Sequence, residues 1–288
     1  MSGCMQPAPP PTLSPSEELG KLVRARALGM VHAVNASHIG GAFSMTDLLA
    51  VLYAGTLRVR PAEPNWPDRD RFILSKGHCC SALYATLALR GFFPVAELET
   101  FGRDGSRLMT HASHKVPGVE FSTGSLGHGL PLGCGKALAA KRRQQSWRVF
   151  VMLSDGELDE GSNWEAILFA PQHRLDNLVA IVDNNKIQSL GSVKEVLDLD
   201  PLAEKFHAFR WAVREIDGHN HDEIRGALSA LPWEPGRPNC LIAHTVKGKG
   251  VGFMENELLW HYRSPNKEQL KQALQELGCS DQHLPADV

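Results

Sequence analysis

At 288 residues the chain can bury a full core, and with 30 basic against 32 acidic side chains its formal charge of −2 gives no electrostatic case for nucleic acid or an anionic membrane. Six scattered cysteines, Cys4, Cys79, Cys80, Cys134, Cys240 and Cys279, make no C-x-x-C pair and no small disulfide framework, so a reducing cytoplasm is the expected setting. No apolar run is long enough for a membrane span, and the start has neither the basic nor the apolar region of a signal peptide.

Residues 1–15, MSGCMQPAPPPTLSP, read as a disordered, proline-rich lead-in. Ser16 opens a helical pattern, S-E-E-L, with Leu19, Leu22, Val23, Ala27 and Met30 on one face, running to about Asn35. A second amphipathic helix is expected from Thr46 through Leu48, Leu49, Leu52 and Tyr53. Apolar runs then alternate with helical ones. They are RFILS (71–75), a helix near 79–90, another from about 127 to 142, VFVMLS (149–154), a helix from 162, LVAIVD (178–183), AVREI (212–216), a helix from Asp222, and CLIAH (240–244). This alternation predicts an α/β domain over residues 16–265, a parallel sheet with helices on both faces. KEQLKQALQELG then reads as a polar amphipathic helix, so residues 266–288 form a C-terminal helix and tail.

In such sheets binding residues gather just past the carboxyl ends of the strands, where SKGH, SDGE, DNNK and HTVKGKG all stand. The stretch LSDGELDEG, Leu153 to Gly161, crowds four carboxylates after a buried run. A solvated acidic loop and a cation site both fit it locally, since a D-G pair alone is usually a tight turn. The interval from Asp155 to Asp183-Asn184-Asn185 holds one helix and one strand, a single β-α-β unit, so both polar ends reach the same sheet edge. A carboxylate and an amide oxygen converging there make the hard-oxygen environment of Mg2+ or Ca2+. Gly156 leaves room for a phosphate, and Ser162-x-x-Glu165 reads as a capping box that starts the intervening helix near the site. The combination describes a diphosphate held through a divalent cation.

These residues resemble the thiamine diphosphate enzymes, whose signature is G-D-G, an interval of this size, then N-N; here Ser154 stands in place of the first glycine. More closely, about residues 17–265 are similar to the cofactor-binding N-terminal portion of transketolase. The resemblance implies the thiamine diphosphate-binding fold, with the metal held by the Asp155 side chain, the Asn185 side chain and the Ile187 carbonyl. It implies His38 and His111 for the sugar hydroxyls, His78 for the cofactor and His261 for both. Gly124, Ser125 and Leu126 of FSTGSLGHGL would lie against the cofactor rings, with Gly156 and Lys247 near the diphosphate. Glu160 would stand at an interface between two cofactor sites, supporting dimer assembly or proton sharing.

The pyrimidine-binding domain of a transketolase, with the glutamate that protonates the aminopyrimidine, has no counterpart in these residues. The resemblance therefore implies the N-terminal subunit of a split transketolase, moving a two-carbon ketol unit from a ketose phosphate donor to an aldose acceptor. A C-terminal partner subunit would complete the site in a heterotetramer. Two alternatives are the α subunit of a 2-oxo acid dehydrogenase, which would not need the four histidines, and a non-catalytic cofactor-binding or regulatory subunit, against which the intact Asp155, Asn185 and histidines argue.

Overall fold

The computed structural model describes residues 13–280. Its centre is one parallel sheet of β1 (Arg71–Leu74), β2 (Val149–Ser154), β3 (Leu178–Asn184), β4 (Ala212–Asp217) and β5 (Asn239–His244) in the order β1-β2-β3-β5-β4. The five expected strands are the five observed; β1, β2, β3 and β5 are nearly continuous apolar runs because both faces are covered, whereas the edge strand β4, AVREID, leaves Arg214, Glu215 and Asp217 exposed. Side chains alternate between two cores: Phe150, Met152, Val179, Ile181 and Leu241 enter one, and Val151, Leu153, Ala180, Val182 and Ile242 the other.

The first core is closed by α1 (Pro15–Ala33), α2 (Ile39–Ser44), α3 (Thr46–Val51), α4 (Cys80–Leu89), α9 (His221–Ser229) and α10 (Lys267–Glu276). The second is closed by α5 (Gly129–Arg142), α6 (Gly161–Gln172), α7 (Val193–Val196) and α8 (Leu202–Ala208). Helices thus lie on both faces, as the alternation implied. Among the described residues no helix is long and apolar enough to cross a membrane.

Four local expectations change. The first helix begins earlier, because the capping box is Ser14-x-x-Glu17: Glu17 N donates to Ser14 Oγ at 3.4 Å and Ser14 N to the Glu17 carboxylate at 2.6 Å, with Pro15 at the first helical position. The lead-in therefore ends before Ser14, and its residues 1–12 lie outside the described residues. The helix expected from Thr46 does start there, as α3, but a separate short helix, α2, precedes it from Ile39, and neither is amphipathic, since residues 39–53 are all buried beneath α1, α4 and α9. Ser162 does not cap α6: Glu160 is the N-cap residue without a side-chain bond, and the Ser162 hydroxyl donates instead to Gly127 O at 2.7 Å. Short α8, in LAEKFHA, is an additional helix with too few turns to show a period in the sequence.

The C-terminal helix is no appendage. Its capped start at Asn266 sends Leu270, Ala273 and Leu274 into the same core as α1, while residues 281–288 lie outside the described residues. Leu270→Ala should therefore cost about 2–4 kcal/mol of stability, the range for emptying a buried leucine site. Urea unfolding checks this, and a variant as stable as the parent would mean that α10 rests on the surface only.

Candidate active site

Because the strands are parallel, their carboxyl ends share one edge, and the register aligns them: Ser154 pairs with Asp183 and Asp183 with Ala243. The segments leaving β1, β2, β3 and β5, joined by the turn before α2, enclose a cavity of about 230 Å³. His38, His78, His111, His261, Gly124, Leu126, Asp155, Gly156, Asn185, Ile187 and Lys247 all line it. Two sequence-selected residues do not. Ser125 faces an adjoining outer groove with His111 and His128, and Glu160 is exposed at the start of α6.

The floor is a buried ion pair that sequence reasoning did not single out. Lys76, directly after β1, pairs with Asp183, and both are essentially unexposed. Asp183 also accepts from Ser44 Oγ at 2.5 Å, from Asn185 Nδ2 at 3.3 Å and from the Thr245 hydroxyl. Burial opposes ionisation of this carboxyl, but the Lys76 charge and the converging donors hold it below its ordinary range. Burial would lower the Lys76 ammonium, but the Asp183 charge raises it above its ordinary range. A lysine straight after a buried strand, in SKGH, was the available signal. Ser154, Gln188 and Ser189 also line the cavity and carried no sequence signal beyond their neighbourhood.

Asp155 stands differently. Its carboxylate accepts the Gly156 and Lys186 backbone amides, yet burial and then the neighbouring Asp183 charge push it up to about 6. Asn185 Oδ1 accepts from Ile187 N at 3.2 Å, and the Ile187 carbonyl accepts from Lys247 Nζ at 2.8 Å. Burial, then Lys76, lowers Lys247 to about 8. Among the described residues no group of three or more His, Cys, Asp or Glu side chains could hold a metal, and this oxygen set contains one such side chain, Asp155.

The histidines form one cluster. The His38 ring lies 4.9 Å from His78, 5.0 Å from His261 and 6.0 Å from His111, centre to centre. His38 takes a left-handed backbone, φ 71°, which is uncommon for a side-chain-bearing residue, and its N–H donates to His261 O at 3.0 Å. Burial, then His111 and Lys247, lowers His38 to about 4; burial, then Lys247, lowers His261 to about 3; burial and Lys76 hold His78 well below its usual range. Near neutral pH these three rings are uncharged, and each offers one donor and one acceptor to a ligand. His111 is more exposed at the rim, where a Cβ on Gly124 would come within 2.9 Å of its ring. The glycine turn can approach His111 only without a side chain.

An α/β domain with a buried carboxylate, an amide, a lysine and uncharged histidines at its strand ends is built to hold a polar, phosphorylated cofactor beside a small substrate. Residues 16–288 match the family described as transketolase, thiamine diphosphate binding domain. The chain is 41% identical over 255 residues to a subunit of the apulose-4-phosphate transketolase of Phocaeicola vulgatus, covering 88% of this chain and 91% of that one. It is 40% identical over 257 residues to the 6-deoxy-6-sulfo-D-fructose transketolase subunit SqwG of a Clostridium species, covering 89% and 94%. The solved transketolase of Campylobacter jejuni superposes with a TM-score of 0.88 at 31% identity, over 93% of this chain and 43% of that one. This chain belongs to the transketolase family and constitutes its thiamine diphosphate binding domain. It has the extent of the separate subunits and spans about two fifths of the single-chain enzyme.

The depressed His38 sets a sign for stability against pH. A group whose folded pKa, about 4, lies below its ordinary 6.5 imposes no penalty above pH 6.5 and destabilises the fold as pH falls toward 4, where the unfolded chain binds the extra proton. Melting temperature should therefore fall across that window, and His38→Gln should flatten part of the slope. An unchanged slope would mean that His38 is not held uncharged.

Proposed function

We propose that this chain is the N-terminal subunit of a two-chain transketolase, active with a C-terminal partner that supplies the pyrimidine-binding domain and its glutamate. It moves a two-carbon ketol unit from a ketose phosphate to an aldose acceptor. The observation that carries this reading is the single cavity in which the Asp155, Asn185 and Ile187 oxygens face the His38, His78, His111 and His261 rings. Relatives of the same extent are themselves transketolase subunits, which supports the two-chain form.

The donor set suits a divalent cation. Three hard oxygens, one of them a buried carboxylate whose charge Lys76 does not neutralise because Asp183 takes that ammonium, match Mg2+ or Ca2+ better than a softer metal. Asp155, Asn185 and Ile187 would hold the cation, Gly156 and Lys247 the diphosphate, and His78 with Gly124 and Leu126 the rest of the cofactor on this side. When bound, thiamine diphosphate supplies the nucleophilic carbon and the electron sink for cleaving the donor C2–C3 bond.

The chain's own residues orient the sugar and handle protons. His38, His111 and His261 bind hydroxyls at the C1–C2 end, and an uncharged imidazole can take a hydroxyl proton and return it. Positive charge in the cavity is confined to Lys76, already paired, and Lys247, so cations stand where a diphosphate binds while the sugar meets neutral rings. Glu160, exposed beside the site, faces a second copy in a heterotetramer built around two of these chains. The described cysteines are all unpaired, in keeping with a cytoplasmic enzyme.

Two measurements test this. Neither the purified chain nor its partner alone should transfer ketol units between xylulose 5-phosphate and ribose 5-phosphate or related sugars, while the mixture does; turnover by this chain alone sinks the two-chain reading. In the assembled enzyme, Asp155→Ala should abolish Mg2+-dependent retention of thiamine diphosphate in calorimetry. Parent-like affinity in that variant would remove Asp155 from the cation site.

A further inference from the structure

His219 lies outside the cavity, in the turn between β4 and α9, and none of its atoms lines the cofactor site. Its ring is held from both sides. Nδ1 lies 2.8 Å from Asp47 Oδ2 on α3, and the Val246 backbone N–H donates to Nε2 at 2.8 Å. A nitrogen that accepts from an amide carries no proton, so the proton sits on Nδ1 and is donated to Asp47. Asp47 is in turn fixed: Arg24 NH1 and NH2 bind its two oxygens at 2.9 and 2.7 Å, and His221 Nε2 lies 3.2 Å from Oδ1. The relay Arg24, Asp47, His219, Val246 thus runs from α1 to the residue before Lys247.

The turn is shaped for this reach. Gly218 N donates to His244 O at 2.8 Å, and a Cβ on Gly218 would stand 2.4 Å from Thr245 Cγ2, so any side chain there would push the two loops apart. Beyond Val246 the loop is tied by Gly248 N to Gly40 O and by Asn256 N to Lys247 O, each at 2.9 Å. From this anchored backbone Lys247 Nζ reaches Ile187 O at 2.8 Å and His261 Nδ1 at 3.2 Å.

We propose that His219 is a positioning residue for cofactor binding: its unprotonated Nε2, oriented by Asp47, holds the Val246 amide and so sets where Lys247 presents its ammonium. A flexible lysine stem is directed only as well as its backbone is fixed, and a rigid neutral ring with one donor and one acceptor can bridge a carboxylate to an amide. The inference rests on the reading of Lys247 as a diphosphate ligand.

The test combines hydrogen exchange at the Val246 amide with thiamine diphosphate titrations in Mg2+, on the full chain together with its partner. H219A should expose the Val246 amide to faster exchange and weaken binding about three- to tenfold, the effect of one lost hydrogen bond. H219Q, whose carboxamide can donate to Asp47 and accept from Val246, should recover most of both. K247A should weaken binding further, and H219A added to K247A should weaken it no more, since the two act through one group. If H219A does not fold, H219F, which fills the space without an acceptor, carries the same comparison. Unchanged Val246 protection, a lowered melting temperature with unaltered affinity, or losses at His219 and Lys247 that simply add would each overturn the proposal. Parent-like affinity in K247A would instead remove Lys247 as a ligand, a failure separable from the Val246 exchange, which reports on His219 alone.

Discussion

The buried contact between Lys76 and Asp183 organises this molecule. Asp183 ends β3 and, besides the ammonium from the end of β1, gathers the Thr245 hydroxyl from beyond β5, Ser44 from α2 and the Asn185 amide. Four segments of chain are thereby pinned to one carboxylate. A buried ion pair adds little net stability, because desolvation offsets much of the attraction, but removing one partner leaves an uncompensated charge. Its structural effect is to fix how the strand ends lie relative to one another. Its electrostatic effect is to occupy the Lys76 charge, so that Asp155 next to it stays under-compensated.

The second constraint is the neutrality of the histidines. Packing the His38, His78 and His261 imidazoles at 4.9 to 5.8 Å in a partly enclosed space, with Lys247 against His261, would be costly if more than one were charged. Burial resolves this by keeping these three uncharged near neutral pH, the form in which a ring both donates and accepts. The cavity is therefore divided. One wall carries the Asp155, Asn185 and Ile187 oxygens and a lysine, and the other carries hydrogen-bonding imidazole rings. The glycine turn at residues 124–127 closes the space between them, held from behind by Glu157, which accepts the Gly127 amide at 2.9 Å, and by the Ser162 hydroxyl.

The extent of the chain bears on how such a site works. This domain supplies the lining of the cavity at its strand ends. Single-chain relatives carry this portion as about two fifths of their length, whereas relatives of this length include separate transketolase subunits. The domain folds around its own sheet, with a hydrophobic core on each face.

The strands and the positions of the cavity residues were legible from local pattern, because a fully buried parallel strand must be an apolar run and a parallel sheet must bring the following residues to one edge. Asp155, Asn185 and Lys247 could be placed by that rule, and His38, His78, His111 and His261 by their resemblance to transketolase motifs. Periodicity could not show that residues 39–53 are wholly buried, since burial on every side depends on which helices pack there. Nor could it show that Ser162 would serve Gly127 instead of capping its own helix, or that Lys76 would pair with Asp183 rather than face a ligand. Those outcomes turn on partners far apart in the chain, and so does the tie from His219 to Val246. Local sequence sets which atoms can donate, accept or carry charge; only the packed sheet decides which of them meet, because the partners lie far apart in the chain and the fold brings them to one place.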